Sequence, residues 1–499
     1  MHRQRKSGIL LHPTSLPGPG GIGSLGKEAC RFVDFLHDAG QSLWQVLPLG
    51  PTSWGNSPYM CYSAFAGNPL LIDLPGLVQE GDLKRGVLKE DLPVEHVDYH
   101  RVADYKNAAL RKAAAAFFAA GESGRMEEFR QFCDTTPWLH DFALFMALKE
   151  RHEGARWCDW PSGLAAREPA ALEEASRTLG VEIGEQKYRQ WQFFRQWRGL
   201  RRYANDRSVE IFGDIPIFVA YDSVDVWANP HLFLLDGAGH PTVVAGVPPD
   251  YFSKTGQLWG NPLYNWEEMI RQGYSWWIER VRSALALYDL IRLDHFRGFM
   301  ACWQVPAGEK TAVNGRWVDG PGEALFDALI DALGVLPIVA EDLGVITPDV
   351  EHLLDRLSFP GMKILQFAFD SGPRNPYLPH NHVRNSVVYT GTHDNDTTAG
   401  WFSSLPARTR KRVLQYLGCS GEDIVWDLIR TALASVADTA IVPLQDVLVL
   451  DGASRMNLPG TSVGNWSWRF SSGALTGKLS KRLVELTELY GRCRIDGKR

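Results

Sequence analysis

The stretch LIRLDHF at residues 290–296 is a short apolar run that ends in polar and charged side chains, and this form decides the fold. Apolar runs of this length, bounded by turn or helical patterns, are typical of buried strands. Seven further runs share the form, and the full set spans residues 8–12, 43–49, 209–218, 290–296, 336–343, 362–369, 386–394 and 439–447. We therefore predict eight strands.

Helical patterns separate several of these runs, for example at residues 28–38, 276–287 and 322–333. An alternation of strands and helices is typical of βα units around a parallel sheet. Eight such units predict an α/β protein with a (β/α)8 TIM barrel. The alternation breaks twice, because residues 75–208 are mostly helical in pattern and residues 219–275 carry few periodic segments. We expect a mostly helical insertion between strands 2 and 3 and a further insertion after strand 3.

These breaks give an expected division of the chain. Barrel strands 1 and 2 fall in residues 1–74, the helical insertion in 75–208, strand 3 in 209–218, the second insertion in 219–275, and strands 4 to 8 in 276–499. The second insertion contains a loop rich in proline and glycine at residues 246–260. Long loops in compact domains usually have a function, so we expect this one to be functional.

Composition and charge exclude several classes of protein. The chain has 499 residues, of which 45% are hydrophobic and 22% charged, as in ordinary globular proteins. Its net charge of −6 gives no reason to expect nucleic acid as a partner. The seven cysteines lack metal-like spacing and predict reduced thiols and a cytosolic location. The 18 tryptophans are numerous, and such rings stack on sugars as well as fill cores.

The polar residues that close each run are the candidates for chemistry, because catalytic groups in such barrels lie at the carboxyl ends of strands. Three separate strand ends supply the carboxylates Asp294, Glu341 and Asp394. Carboxylates that share one site cannot all ionise easily, so their pKa values separate. Chemistry at a glycosidic bond needs one protonated and one ionised carboxyl.

The neighbours of each carboxylate suggest its role. Arg292 and Asp294 lie two residues apart on a strand and therefore on the same face. A cation there favours ionised Asp294, which makes it the candidate nucleophile. Glu341 follows an apolar approach that raises the pKa of a carboxyl, as a general acid requires. Asp394, beside His393, is a candidate for binding sugar hydroxyls at the reacting ring.

Structural roles compete with these assignments. An aspartate at a strand end often caps a loop, and Asp214 could cap the turn before Pro216. His393 could equally be a structural histidine. The presence of a carboxylate at three independently predicted strand ends favours a functional site.

Long motifs carry a resemblance to a known family. The strand-end motifs are FGDIPIFVA (212–220), IRLDHFRGF (291–299), VAEDLGVITP (339–348) and YTGTHDNDTT (389–398). Others are LLHPTSLPG (10–18), WQVLPLGPT (44–52), SPYMCYSAFAGNPLLIDL (57–74), VVAGVPPDYFSKTGQLWGNPLY (243–264), GMKILQFAFD (361–370), PLQDVL (443–448), RMNLPG (455–460) and GNWSWR (464–469). In order and content they resemble the amylomaltases, the 4-alpha-glucanotransferases of glycoside hydrolase family 77 in the α-amylase clan.

This resemblance implies an activity and its residues. The family transfers α-1,4-glucan segments to a glucan or glucose 4-hydroxyl by a retaining double displacement, without a cofactor, a metal, a nucleic acid or a membrane. By position, Asp294 is the nucleophile, Glu341 the acid/base and Asp394 the stabiliser of the transition state. The implied substrate-binding residues are Ser57, Tyr59, Asp214, Asp250, Gln257, Trp259, Arg292, His393 and Asn465. Residues 246–260 resemble the family's flexible lid.

Further aromatic residues are candidates for sugar stacking. Trp54 stands where relatives often have tyrosine at a second glucan site, so such a site here is an open expectation. Phe367, with Tyr59 and Trp259, is a candidate for an acceptor site that holds sugar and excludes water. Tyr251 and Trp466 also flank the proposed cleft. In contrast, Trp191 and Trp197 are expected to form core in the helical insertion.

Three other functions are alternatives. An α-1,4-glucan hydrolase of the same fold would differ only in its acceptor, and a glucan-binding module would not need the three carboxylates. Residues 18–23 match GxGxxG and could indicate a nicotinamide-dependent oxidoreductase, although Pro13, Pro17 and Pro19 disfavour the tight turn it requires. His380 and His382 could suggest a metal, but a solvated loop fits their spacing better.

Overall fold

The computed structural model describes residues 5–88, 91–249 and 253–493. The strands in these residues are β1 Lys6–Leu10, β2 Leu43–Gln45, β3 Glu210–Ile215, β4 Val243–Val247, β5 Gln257–Pro262, β6 Leu290–Leu293, β7 Ala301–Pro306, β8 Arg316–Asp319, β9 Ile338–Ala340, β10 Gly361–Ile364, β11 Ser386–Tyr389 and β12 Thr439–Pro443.

The α-helices in the same residues include many that fall between these strands. They are α1 Lys27–Asp38, α2 Leu74–Gln79, α3 Tyr99–Ala119, α4 Gly124–Asp134, α5 Leu139–Arg151, α6 Ser162–Ala165, α7 Pro169–Thr178, α8 Gly180–Asp206, α9 Val224–Ala228, α10 Trp266–Arg271, α11 Ser275–Leu287, α12 Glu323–Leu333, α13 Pro348–Leu357, α14 Thr398–Ser404, α15 Ala407–Leu417, α16 Ile424–Ala434, α17 Leu444–Val447 and α18 Gly477–Leu489.

Eight strands form one parallel sheet that curls into a barrel. Their order is β10-β11-β12-β1-β2-β3-β6-β9, and every paired strand is parallel to its neighbour. The two end strands approach each other, because the amide of Ala340 donates to the carbonyl of Pro360 over 2.9 Å. The predicted (β/α)8 TIM barrel with its eight strands is confirmed.

Seven of the eight barrel strands are shorter than their predicted runs, and β1 has the length of its run but begins two residues earlier. The ladder of β6 ends at Leu293 and that of β9 at Ala340, so Asp294 and Glu341 follow the last paired residues. His295 then adopts a left-handed backbone with φ of 49°, which turns the chain out of the strand. Non-glycine residues rarely adopt this conformation, and those that do often lie at functional sites. The polar ends of the runs therefore leave the sheet and line its mouth.

Helix α1 shows how the outer layer packs on the barrel. Its buried residues Ala29, Phe32, Val33 and Leu36 recur at the spacing of one helical face. Phe32 lies edge-to-face on Trp44 of β2, with ring centroids 5.0 Å apart. Burial of each large apolar side chain contributes roughly 1.5–3 kcal/mol, so this face fixes the helix to the barrel.

The segment between β2 and β3 is mostly helical, as predicted, and contains α2 to α8. Trp191 and Trp197 of its longest helix, α8, are fully buried, so their expected place in the core is confirmed. The indole of Trp197 donates to the carbonyl of Leu287 over 3.0 Å. This bond satisfies the buried N–H and ties α8 to the end of α11.

A second sheet was not predicted. Strands β4, β5, β7 and β8 pair antiparallel in the order β5-β4-β7-β8. Strands β4 and β5 lie in residues 219–275, where the sequence carries few periodic segments. Their partner β7 lies far along the chain, beyond β6, so the sheet rests on long-range pairing that short windows of sequence do not report. This sheet carries Trp259 of β5, whose ring contacts His295 at the barrel mouth.

The glycine-rich segment at residues 18–23 does not form a dinucleotide fingerprint. The sheet is a barrel, whereas that fingerprint belongs to an open doubly wound sheet. The amide of Gly23 donates to the carbonyl of Thr14 over 3.0 Å, so it is not free to hold a phosphate. A Cβ on Gly21 would lie 2.8 Å from Leu92, which shows close packing against the insertion. The oxidoreductase alternative was therefore wrong.

All seven cysteines lie in the described part of the chain and are unpaired thiols. Among the helices that the structure describes, none has the length and apolar character needed to cross a lipid bilayer.

Candidate active site

The register of the barrel brings the predicted strand-end residues together. Asp214 of β3 pairs with Arg292 of β6, and Leu293 of β6 pairs with Ala340 of β9. Asp294 and Glu341 each follow that second pair by one residue. Since parallel strands end at the same edge, both carboxylates lie at the carboxyl-terminal mouth of the barrel.

Arg292 is the cation at the base of this mouth. Its Nη1 donates to both oxygens of Asp214, over 3.0 and 2.8 Å, and its Nη2 lies 2.8 Å from Oδ1 of Asp294. The hydroxyl of Tyr59 also donates to Asp214, over 2.9 Å. The side chains of Arg292 and Asp214 are buried, whereas 26% of the Asp294 side chain is exposed. Asp294 is therefore the carboxylate of this cluster that a substrate can reach.

The charges of this cluster depend on one another. Burial raises the pKa of Asp214, while the charge of Arg292 and the hydrogen bond from Tyr59 oppose that rise. Burial also disfavours the charged form of Arg292, but Asp214 and Asp294 outweigh it and raise the pKa of the guanidinium. Arg292 is thus a permanent cation beside Asp294. The carboxylate of Asp214 contacts the side chains of Arg292 and Tyr59, which differs from the role of a turn cap before Pro216.

Glu341 is held by two backbone amides. Its Oε2 accepts from the amide of His295 over 2.8 Å, and its Oε1 accepts from the amide of Leu343 over 2.9 Å. The residue is buried, and burial together with the negative charge of Asp294 raises its pKa to about 7, against the opposing charge of Arg292. A carboxyl with this pKa can both give and take a proton near neutral pH.

The neighbouring His295 carries no charge at neutral pH. Burial lowers the pKa of its imidazole to about 4. Its ring lies edge-to-face against Trp259 of β5, with ring centroids 4.8 Å apart. The indole N–H of Trp259 donates to Oε1 of Gln257 over 3.1 Å. The second sheet thereby places Trp259 against His295, which follows Asp294 and whose amide binds Glu341.

Asp394 lies across the mouth and is half-exposed. Its Oδ1 is 3.4 Å from Nε2 of His393 and accepts from the amide side chain of Asn457 over 2.6 Å. The guanidinium of Arg455 donates to the Asp394 carbonyl over 2.5 Å. Burial lowers the pKa of His393, whose ring stacks on Tyr59 with centroids 5.1 Å apart. These contacts connect Asp394 to the cluster around Asp214.

A buried carboxylate supports the turn that carries Asp394. Asp446, after β12, accepts hydrogen bonds from the hydroxyls of Thr390 and Thr398, over 2.6 and 2.7 Å, and from the amide of Thr398 over 2.7 Å. Thr390 precedes the turn and Thr398 begins α14. Both ends of the turn are therefore fixed to one side chain.

The remaining predicted residues lie farther out. Ser57 accepts from the amide of Tyr59 over 3.3 Å. Asn465 accepts from the amide of Leu458 over 2.9 Å and donates to the carbonyl of Thr461 over 3.0 Å, so its amide is engaged within its own loop. The next residue, Trp466, packs against Tyr59 and His393 with centroids 6.1 and 5.9 Å away.

Two predicted aromatic residues lie at the surface. Trp54 is 87% exposed, and Phe367 is 37% exposed with its ring edge-to-face on Tyr377. Among the described residues, neither ring pairs with Tyr59, His393 or Trp259, the aromatic side chains at the barrel mouth. Asp250 and Tyr251 lie outside the described residues.

The structure adds residues that sequence reasoning missed. Asn457 and Arg455 hold Asp394, and the only sequence signal for them was their place in the RMNLPG motif. The amides of His295 and Leu343 hold Glu341, and no side-chain pattern reports a backbone donor.

The described part of the site has no recognisable metal centre. Within the described ranges, no group of three or more histidine, cysteine, aspartate or glutamate side chains could hold an ion. The pair at residues 380 and 382 is engaged elsewhere: His380 contacts the hydroxyl of Tyr416 and His382 the carbonyl of Tyr377, each at 2.9 Å.

Comparisons with sequence families and solved structures identify similar proteins. Residues 11–476 match the sequence model of glycoside hydrolase family 77, described as 4-alpha-glucanotransferase. A 4-alpha-glucanotransferase of Synechocystis is 54% identical over 98% of both chains, and one of Thermus thermophilus is 50% identical over 98% of this chain and 99% of the relative. The amylomaltase of Streptococcus agalactiae, solved in complex with acarbose, superposes with a TM-score of 0.96 at 40% identity, covering 98% of this chain and 100% of that one.

Proposed function

The chain belongs to glycoside hydrolase family 77, the 4-alpha-glucanotransferases, and from that premise we propose that Asp294 and Glu341 carry out the transfer by a retaining double displacement. The observation that supports this most directly is the unequal treatment of the two carboxylates. Asp294 faces the permanent cation Arg292, whereas Glu341 is buried with its pKa raised to about 7.

In the first step, an oxygen of Asp294 attacks the anomeric carbon of an α-1,4-linked glucose. The bond from that carbon to the leaving oxygen breaks, and Glu341 gives its proton to that oxygen. The leaving glucan departs with a free 4-hydroxyl, and the donor segment stays bound to Asp294 as an ester.

In the second step, the 4-hydroxyl of another glucan or of glucose attacks the same carbon. Glu341, now ionised, takes the hydroxyl proton, and the bond to Asp294 breaks. Two inversions at one carbon restore the α configuration. The same group serves as acid and then as base, for which a pKa near neutrality is suited.

Three further residues are proposed to bind the reacting sugar. Asp394 and His393 lie across the mouth from Asp294 and are proposed to bind hydroxyls of the sugar ring. These hydrogen bonds are proposed to be stronger in the transition state than in the bound substrate. The ring of Tyr59 stacks on His393 and its hydroxyl donates a hydrogen bond to Asp214, so Tyr59 helps to hold both side chains in place. Its ring is proposed to pack against the glucose at the cleavage site.

The proposed partners are α-1,4-glucans, including chains derived from glycogen or starch, in the cytosol. The similar amylomaltase of Streptococcus agalactiae was solved in complex with acarbose, and we propose that acarbose binds to this chain at the mouth of the barrel. Gln257, Trp259 and Phe367, with Asp250, Ser57 and Asn465, are proposed to line the groove, and the exposed Trp54 is proposed to stack on long glucans away from it.

Incubation with maltotriose tests the proposal. The proposed transfer gives glucose and a ladder of longer maltooligosaccharides, with a constant number of reducing ends. A rise in reducing ends would indicate hydrolysis instead. Glu341→Gln removes the proton donor and is expected to lower the rate by about 10²–10⁴-fold. An unchanged rate in Glu341→Gln rules out its acid/base role, and an unchanged rate in Asp294→Asn rules out the covalent step.

A further inference from the structure

The barrel has a seam between its two end strands, β9 and β10. The ordered ladder joins eight strands from β10 round to β9, and these two are its ends. A backbone bond from Ala340 to Pro360, 2.9 Å long, crosses the gap at the end of β9. Beyond that point the chain leaves β9 and carries Glu341, so the acid/base lies directly on the seam.

A side chain continues the join where the backbone ladder stops. Asp342, which follows Glu341, accepts on Oδ1 the backbone amide of Met362 in β10, over 2.6 Å. Its Oδ2 lies 3.7 Å from Nζ of Lys363, and only 12% of its side chain is exposed. The carboxylate therefore takes the place of a strand carbonyl and binds the chain after β9 to β10.

The opposite strand is built to admit this carboxylate. A Cβ added to Gly361 would lie 2.3 Å from Oδ2 of Asp342. Such a distance is well inside van der Waals contact, so any side chain at this position would displace the carboxylate. Two separate features of β10 therefore allow Asp342 to bind there: Gly361 leaves room for its carboxylate, and Met362 donates its backbone amide to it.

The contact acts on the carboxylate of Glu341 through the backbone. On the β6 side, the amide of Glu341 donates to the carbonyl of Leu293 over 3.0 Å. On the β10 side, the bond from the Met362 amide to Asp342 fixes the chain. The amide of the next residue, Leu343, donates to Oε1 of Glu341. Release of Asp342 would let the peptide that bears this donor rotate.

We infer that Asp342 is a positioning residue for the acid/base: by binding the amide of Met362 across the barrel seam, it holds the Leu343 amide against the Glu341 carboxylate. This inference rests on the proposed acid/base role of Glu341. Asp342 is largely buried and is assigned no contact with the substrate. A misplacement of about 1 Å in a catalytic group can lower a rate by about 10²-fold, so the contact is expected to matter for turnover.

Two substrates separate a positioning role from a general loss of structure. Maltotriose needs a proton at its leaving oxygen, whereas fluoride leaves α-maltotriosyl fluoride without one. First-turnover fluoride release therefore reports attack by Asp294 without the acid. Asp342→Ala is expected to lower kcat on maltotriose by about 10²-fold, with little change in KM, and to leave first-turnover fluoride release within about threefold of the parent. Asp342→Asn retains an acceptor oxygen and is expected to recover part of the loss.

Gly361→Ala approaches the same contact from β10 and keeps every charge. It is expected to show the same selective loss, and it replaces Asp342→Ala if that variant does not fold. Gly372→Ala is the matched control, because a Cβ there meets nothing within 4 Å. Equal loss on both substrates, or an unchanged rate on maltotriose in both Asp342→Ala and Gly361→Ala, overturns the inference.

Glu341→Gln, measured beside them, separates this inference from the proposed function. If Glu341→Gln retains fluoride release and loses maltotriose turnover, the acid role stands and the Asp342 results decide the inference alone. If Glu341→Gln shows no such split, the proposed acid/base role fails, and the inference about Asp342 fails with it.

Discussion

The Nη2 atom of Arg292 lies 2.8 Å from Oδ1 of Asp294, two residues along the same chain and on the same face. The other arm of the guanidinium binds Asp214, so one buried cation joins two carboxylates. The planar fork of arginine suits such double contact, and a lysine offers only a single point charge. The proposed nucleophile thus owes its position to the shape of Arg292 as well as to its charge.

Arg292→Lys is therefore expected to be a strong loss of function. It keeps one positive charge but cannot hold Asp214 and Asp294 together, so we expect kcat/KM on maltotriose to fall by at least about 10²-fold. Arg292→Met leaves the buried Asp214 without its cationic partner, with the Tyr59 hydroxyl as its remaining side-chain donor, and is expected to lower the free energy of unfolding by about 3 kcal/mol. Initial rates and urea unfolding measure the two effects. A lysine variant with parental activity would contradict the role given to the fork.

The pKa of Glu341 predicts the pH dependence of activity. The general acid must be protonated in the free enzyme, and burial raises its pKa to about 7. We expect kcat/KM on maltotriose to decline as pH rises through about 7. On α-maltotriosyl fluoride, where first-turnover fluoride release needs no acid, that decline is expected to disappear. The same decline with both substrates would assign it to another group.

The same pKa predicts a change in stability. Glu341 has a pKa near 4.5 when unfolded and about 7 when folded, so the unfolded chain binds fewer protons between these values. The cost of ionising Glu341 in its buried site is therefore absent below about pH 4.5 and grows as pH rises to about 7. Glu341→Gln is expected to raise the free energy of unfolding at pH 8 by about 3 kcal/mol, and by little at pH 4. Urea unfolding at both pH values measures this, and an equal gain at both would exclude the mechanism.

Much of this site could be predicted from sequence because a barrel brings all strand ends to one mouth. Asp294, Glu341 and Asp394 lie in three distant segments, yet each closes an apolar run, and that pattern is local. The second sheet could not be predicted in this way. Its strands β4 and β7 pair with each other although β6, a barrel strand, lies between them in the sequence. A short window of sequence therefore contains only one of the two partners.

Contacts made by backbone atoms or by distant loops also lay beyond prediction. Both donors to Glu341 are backbone amides, one of them from His295 in a left-handed conformation that its residue type does not announce. Asn457 reaches Asp394 from a loop 63 residues along the chain. Such donors depend on where the fold places a loop, whereas the carboxylates depend on where a strand ends.

Tyr59 is expected to act through its hydroxyl and its ring separately. Tyr59→Phe keeps the stack on His393 but loses the hydrogen bond to Asp214, which is 2.9 Å long. Bonds to charged groups contribute about 1.5–3 kcal/mol, so we expect kcat/KM to fall about tenfold and the free energy of unfolding by about 2 kcal/mol. Tyr59→Ala also removes the stack and is expected to lose more of both. Equal effects in the two variants would show that the ring contributes nothing.

Trp259 is expected to control the choice between sugar and water as acceptor. Its ring lies 4.8 Å from that of His295, the residue after the proposed nucleophile, so we expect it to cover the place where the glycosyl ester would form. A water-excluding cover protects a reactive intermediate, so Trp259→Ala is expected to raise hydrolysis relative to transfer several-fold. The measurement is new reducing ends per glucose released from maltotriose.

Leu258→Ala provides the matched control for this prediction. Leu258 is the neighbouring residue of β5 and its side chain is 38% exposed, and successive side chains of a strand point to opposite faces. It is expected to keep the parental ratio of hydrolysis to transfer. If both variants hydrolyse equally, the effect comes from a loosened strand and not from the indole. If neither does, water is excluded by residues other than Trp259, and the cover assigned to this ring is wrong.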